Sequence, residues 1–98
     1  MSGDPFSFEA LARFADNLYR AREKAGVSQE DAAALAALTH SSLDKIENGE
    51  SIPRLEVVIR IAGAYSVPVG ELVKGITWTP AFVDVIGPPR YVVGREGG

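Results

Sequence analysis

The sequence predicts a mainly α protein: five short helices followed by a short strand-rich C-terminal extension. Three observations predict it. Apolar residues recur at helical spacing from Phe14 to Tyr65; capping side chains stand ahead of periodic runs at Ser7, Ser28 and Thr39; and beyond Gly75 the texture changes to ITWTPAFVDVIGPPRYVVG, rich in β-branched and aromatic residues. At 98 residues the length suits one modest core. The expected organisation is a helical unit over residues 1–75 and an extension over 76–98.

Helix one is expected over about residues 8–25. Asp4-Pro5 or Ser7 can open it, since Asp and Ser accept from orphan backbone amides and proline suits the first helical position. Phe14, Leu18, Ala21, Arg22 and Ala25 follow at helical spacing, and Gly26 ends the helix. Ser28 caps helix two, about 29–36, with Asp31 at the third helical position as a shortened capping box. Its body, DAAALAA, is nearly all small side chains, which lets another helix approach closely but buries little apolar area. Ala37-Leu38 makes a tight turn, and Thr39 caps helix three, about 40–48.

A loop closed by Pro53 leads to helix four, where Leu55, Val58, Ile59, Ala62 and Tyr65 repeat at helical spacing. Helix five, about 69–73, ends at Lys74-Gly75. In the extension, residues 82–86 and 90–93 are expected to pair as a β-hairpin across Gly87-Pro88-Pro89, with the prolines limiting regular pairing beside the turn. A lone hairpin is marginal in water, so this one must lie against its own helices or a second chain.

Composition narrows the function. A formal charge of -3 and a pI near 5.0 oppose diffuse attraction to phosphate polymers or anionic lipid, so a nucleic acid would have to be met by a local surface. No apolar run approaches the roughly 20 residues of a membrane span, and the N-terminus lacks the basic region and apolar stretch of a secretory signal. With no Cys there is no disulfide framework and no thiolate metal site, which fits a reducing cytoplasm. One His, no phosphate-cradling Gly-rich motif and no metal-ligand spacing argue against an enzyme, and no cofactor is expected. Glu71 and Asp84 read as isolated surface carboxylates.

On helix three Leu43 and Ile46 point inward, which leaves His40, Ser41, Asp44 and Lys45 facing out. In an arbitrary helix such a polar edge is simply solvated. Gln29 opens helix two, where its side chain and the helix-end amides suit a phosphate. Ser28 and Thr39 serve first as caps.

Gly26-Val27-Ser28-Gln29-Glu30, the helix-turn-helix after it, and Ile46-Glu47-Asn48-Gly49 resemble the phage-repressor helix-turn-helix family of the Cro/CI, or XRE, type. The resemblance covers about residues 14–75, including IPRLEVVIRIAGAY and VPVGELVKG, which look like that family's fourth and fifth helices. It implies a sequence-specific transcription regulator whose partner is double-stranded DNA, with helix three in the major groove and helix two across the backbone. By this resemblance His40, Ser41 and Lys45 contact bases, Lys donating to guanine acceptors and Ser or His donating or accepting. Asp44 accepts from a cytosine amino group or repels wrong sequences. Gln29, Asn48 and Arg54 hold phosphates, and Arg22 pairs with Glu47 to tie helix one to the end of helix three.

Two residues depart from the family pattern. Ala37 stands where Gly is usual, so a left-handed backbone there costs roughly 1 kcal/mol. Ala32 stands where a larger aliphatic residue fills the core in that family; together the two imply a loosened helix two or compensation elsewhere, by Leu35 or the tail.

One short helix reads few base pairs, so a homodimer on a two-fold operator is expected. Trp78, Phe82, Val83, Val85, Tyr91 and Val93 are expected to supply its contact through the C-terminal strands. The competing reading is a protein-interaction module, antitoxin-like or an adaptor, that grips another protein through the helical domain or the aromatic tail.

Overall fold

The computed structural model describes residues 7–80 and 89–94. The helices are α1 (Phe8–Ala25), α2 (Gln29–Leu35), α3 (His40–Glu47), α4 (Leu55–Ala64) and α5 (Val69–Leu72), followed by strands β1 (Ile76–Thr79) and β2 (Arg90–Val93). Helices α2, α3 and α5 stop one residue earlier than expected because Ala36, Asn48 and Val73 are their caps.

Short-range chemistry sets these boundaries. The Ser7, Ser28 and Thr39 hydroxyls accept from the amides of Ala10, Asp31 and Ser42, each at 3.0 Å. Each bond satisfies one helix-end donor and contributes about 1 kcal/mol. The ends of α1 to α4 share a left-handed stop at Gly26, Ala37, Gly49 and Ser66, with φ of 71°, 60°, 76° and 58°. The amide after each stop reaches back five residues, Val27 to Arg22, Leu38 to Ala33, Glu50 to Lys45 and Val67 to Ala62, and so satisfies a carbonyl the helix leaves open.

Ala37 is thus an L-residue held where Cβ meets the backbone. Replacing it by Gly removes about 1–2 kcal/mol of strain and adds about 0.4–1 kcal/mol of unfolded-chain freedom. An Ala37→Gly variant should therefore gain about 0.5 kcal/mol, seen as a higher urea midpoint at unchanged slope. A lower midpoint would contradict the strain argument.

The core joins Phe14 and Leu18 of α1, Ala32, Ala33 and Ala36 at α2, Leu43 and Ile46 of α3, Val58, Ile61, Ala62 and Tyr65 on or beside α4, and Leu72 of α5. Two expectations are corrected here. The inward stripe of α4 runs 58, 61, 62, 65; Leu55 stands a turn ahead of it and Ile59 one residue off it, so they are 69% and 51% exposed. Leu35 is 66% exposed and fills nothing around Ala32, which is itself fully buried. The alanine face of α2 instead admits neighbouring side chains close to its backbone.

β1 and β2 pair antiparallel within the chain, Ile76 opposite Val93 and Trp78 opposite Tyr91. Among the described residues the partner of 90–93 is therefore 76–79; the expected pairing with 82–86 involves a segment outside the described residues. Ile-Thr-Trp-Thr consists wholly of β-branched and aromatic residues with no proline, which suits a strand. The Trp78 and Tyr91 rings meet edge to face at 5.0 Å.

The hairpin lies on α1, fastened by two side chains. Arg13 Nη2 donates to the Gly94 carbonyl at 2.9 Å, and the buried Asn17 amide donates to the carbonyls of Leu72 and Lys74 at 3.1 and 2.9 Å. Gly75, with φ of 85°, lies under the Arg13 side chain; a Cβ there would sit 1.9 Å from Arg13 Nη1.

Candidate nucleic-acid interface

Helix α3 is pinned at both ends and along its inner face. Thr39 caps its start, the left-handed Gly49 closes its end, and Leu43 and Ile46 are buried. His40, Ser41, Asp44 and Lys45 are all exposed on the remaining side. Asn48 is the exposed C-cap of α3, and Arg54 the exposed residue before α4, making no side-chain cap bond. Among the described residues, neither Lys45 nor Arg54 has an ion-pair partner. This edge thus carries two cations without an ion pair, alongside the carboxylate of Asp44.

Beneath this edge lies a buried polar network centred on Glu47. Arg22 Nε sits 3.1 and 3.0 Å from the two Glu47 oxygens, and Arg22 Nη1 donates to the Val27 carbonyl at 3.0 Å. The Gln29 amide donates to Glu47 Oε1 at 3.0 Å, and the Tyr65 hydroxyl donates to Glu47 Oε2. One carboxylate thus joins α1, α2, α3 and the end of α4. The surroundings show in the ionisation: burial, then the hydrogen bond and negative charge of Glu47, push the Tyr65 phenol well above its ordinary range. Burial works against the Arg22 charge, but the bond to Glu47 and its charge outweigh this and raise the guanidinium.

The network reaches the surface through Gln29. Its Oε1 lies 2.7 Å from His40 Nε2, so the half-buried Gln29 links the carboxylate to the first residue of α3. Gln29, His40, Glu47 and Arg22 are therefore brought together, while Ser41, Asp44 and Lys45 share only the exposed edge. Of the residues expected in a dimer contact, Trp78 is 47% exposed and Tyr91 and Val93 are half-buried; Phe82, Val83 and Val85 lie outside the described residues.

Several working residues were not anticipated. Arg60 Nε donates to the Ala36 carbonyl at 2.8 Å, closing the end of α2 against α4. Tyr65 reads as apolar, yet a buried hydroxyl requires a partner, and that was the available signal. Nothing local marks Arg13, Asn17 or Arg60, whose partners lie 24 to 81 residues away. Among the described residues no group of three or more His, Asp or Glu could hold a metal ion, and no helix is long and apolar enough to cross a membrane.

Comparison with known proteins covers this same region. The helix-turn-helix family model matches residues 18–72, more than half of the chain. Among solved structures, the restriction-modification controller protein C.AhdI from Aeromonas hydrophila is 29% identical with a TM-score of 0.64, over 66% of this chain and 98% of its own. A helix-turn-helix transcriptional regulator from Vibrio cholerae is 25% identical with a TM-score of 0.61, over 65% of this chain and 36% of its own. The hypothetical transcription factor NHTF from Neisseria shares the fold at 23% identity and a TM-score of 0.63, over 74% of this chain and 82% of its own. A search of curated proteins finds no match.

Proposed function

The chain belongs to the XRE-type helix-turn-helix family of DNA-binding transcriptional regulators, and from that premise we propose a sequence-specific regulator that binds a two-fold operator as a homodimer in the cytoplasm. The observation that carries this is the exposed polar edge of α3, held on a helix fixed at both ends. His40, Ser41 and Lys45 read base edges, and Asp44 accepts from cytosine or rejects wrong sequences. Asn48 and Arg54 hold phosphates, as does Gln29 with the amide hydrogen that Glu47 leaves over. The tail strands, with Trp78 at their surface, supply the contact between subunits.

Selection of bound sequences from a random DNA pool tests the reading: one two-fold sequence should enrich, and sedimentation should show a dimer at micromolar concentration. Failure of any sequence to enrich at low salt removes the function. A strict monomer, with and without DNA, removes the dimer.

The second reading, a protein-interaction module, draws support from the exposed apolar side chains Ile52, Leu55 and Ile59. It predicts no enriched DNA and a protein retained through residues 76–93 or this apolar row.

A further inference from the structure

We infer that the buried Glu47 carboxylate, acting through Gln29, fixes which nitrogen of His40 is left to read DNA, and that the base preferred there changes when the ring is protonated. The inference rests on the DNA-binding reading above. It begins with the chemistry of a carboxylate, which only accepts hydrogen bonds. The Gln29 group facing Glu47 at 3.0 Å must therefore be its NH2, and the same amide must turn its carbonyl oxygen towards His40, 2.7 Å away. A carbonyl also only accepts, so His40 Nε2 must carry the hydrogen.

In the neutral ring this leaves Nδ1 without a proton, as an acceptor. Protonation keeps the Nε2–H bond to Gln29 and changes only Nδ1, from acceptor to donor. The scaffold accommodates both charge states, so the switch is confined to the reading atom. The charged residues on the two helices that meet there are Asp44 and Lys45 on α3 and Glu30 and Asp31 in the first turn of α2, with the Arg22–Glu47 pair, Arg22 from α1, behind Gln29.

In the major groove an acceptor meets the amino groups of adenine and cytosine, whereas a donor meets N7 and O6 of guanine, O4 of thymine and N7 of adenine. Neutral His40 should then select adenine or cytosine at one position of each half-site, and protonated His40 should favour guanine or thymine, which put a carbonyl oxygen where those amino groups stand, or lose the preference. His40 is the only histidine in the chain. Gln29 and Glu47 act as positioning residues.

The test is selection from a random duplex pool at about pH 8 and about pH 5.5, followed by affinity measurements on the sites recovered. The expected result is a change of base at a single position of each half-site, with affinity for the high-pH site falling about tenfold on acidification. His40→Gln keeps an amide donor for Gln29 and a carbonyl acceptor that does not titrate, so its preference should be the same at both pH values. Gln29→Ala frees the ring to take either tautomer and should relax the preference at that position while sparing the others.

The same base at both pH values, guanine or thymine selected at high pH, or a pH-dependent change that persists in His40→Gln would each overturn the inference and leave the DNA-binding reading intact. Enrichment of no sequence at either pH would remove both.

Discussion

Replacing Glu47 by Ala is expected to lower the unfolding free energy by about 3–5 kcal/mol, a large part of what a domain of this size possesses. The loss has three sources in the structure: the partly buried Arg22 charge is left without its partner, and the Tyr65 hydroxyl and Gln29 amide lose their acceptor. Equilibrium denaturation of Glu47→Ala, Arg22→Ala and the double variant measures it, and the double variant should lose far less than the sum. Additive losses would show that the two side chains do not act as a unit. Tyr65 adds a pH signature. Its folded phenol is held above the ordinary value of about 10, so the unfolded chain gives up this proton first. The stability gained is fully present below about pH 10 and is lost as pH rises beyond it. Tyr65→Phe should flatten that alkaline decline.

The second large effect falls on DNA. Removing the reading side chains together, as His40→Ala, Ser41→Ala and Lys45→Ala, should reduce discrimination between the selected operator and random duplex by on the order of a hundredfold or more, at about 1–3 kcal/mol per base contact. Weak binding at low salt should persist through Gln29, Asn48 and Arg54. Arg54→Ala should act differently, weakening all sequences alike and reducing the salt slope by about 1. Competition binding at two salt concentrations separates the outcomes, and unaltered operator preference in the triple variant would show that the edge of α3 does not read sequence. With Lys45 and Arg54 as the exposed cations of this surface, the slope of the parent protein should itself be shallow.

Where the fold was legible in the sequence, the determining interactions span only a few residues. Ser7, Ser28 and Thr39 each hold an amide three residues on, and left-handed stops close the helices within one turn, so the helix limits follow from local chemistry. Ala37 was marked as a strained turn because it stands where the resembling family usually has Gly, and its φ of 60° shows the left-handed backbone. What was not legible depends on packing. Leu55 and Ile59 satisfy a helical spacing, but which side of α4 turns inward is decided by its packing on α2 and α5. The pairing of 90–93 with 76–79 was not foreseen, because it depends on how the chain lies against α1, and Arg13 and Asn17, which hold Gly94 and the turn before β1 there, look like ordinary surface residues. In the candidate interface the exposed edge of α3 could be read from Leu43 and Ile46, whereas the Gln29–His40 link arises only once two helices have been set against each other.

The bond from Arg13 to Gly94 spans 81 residues, while the helical stops span five. During synthesis the stops can form as each helix leaves the ribosome, but α1 waits for nearly the whole described chain before its outer side is covered. The Arg13 side of α1 is therefore the part of the described fold whose cover is farthest from it along the chain.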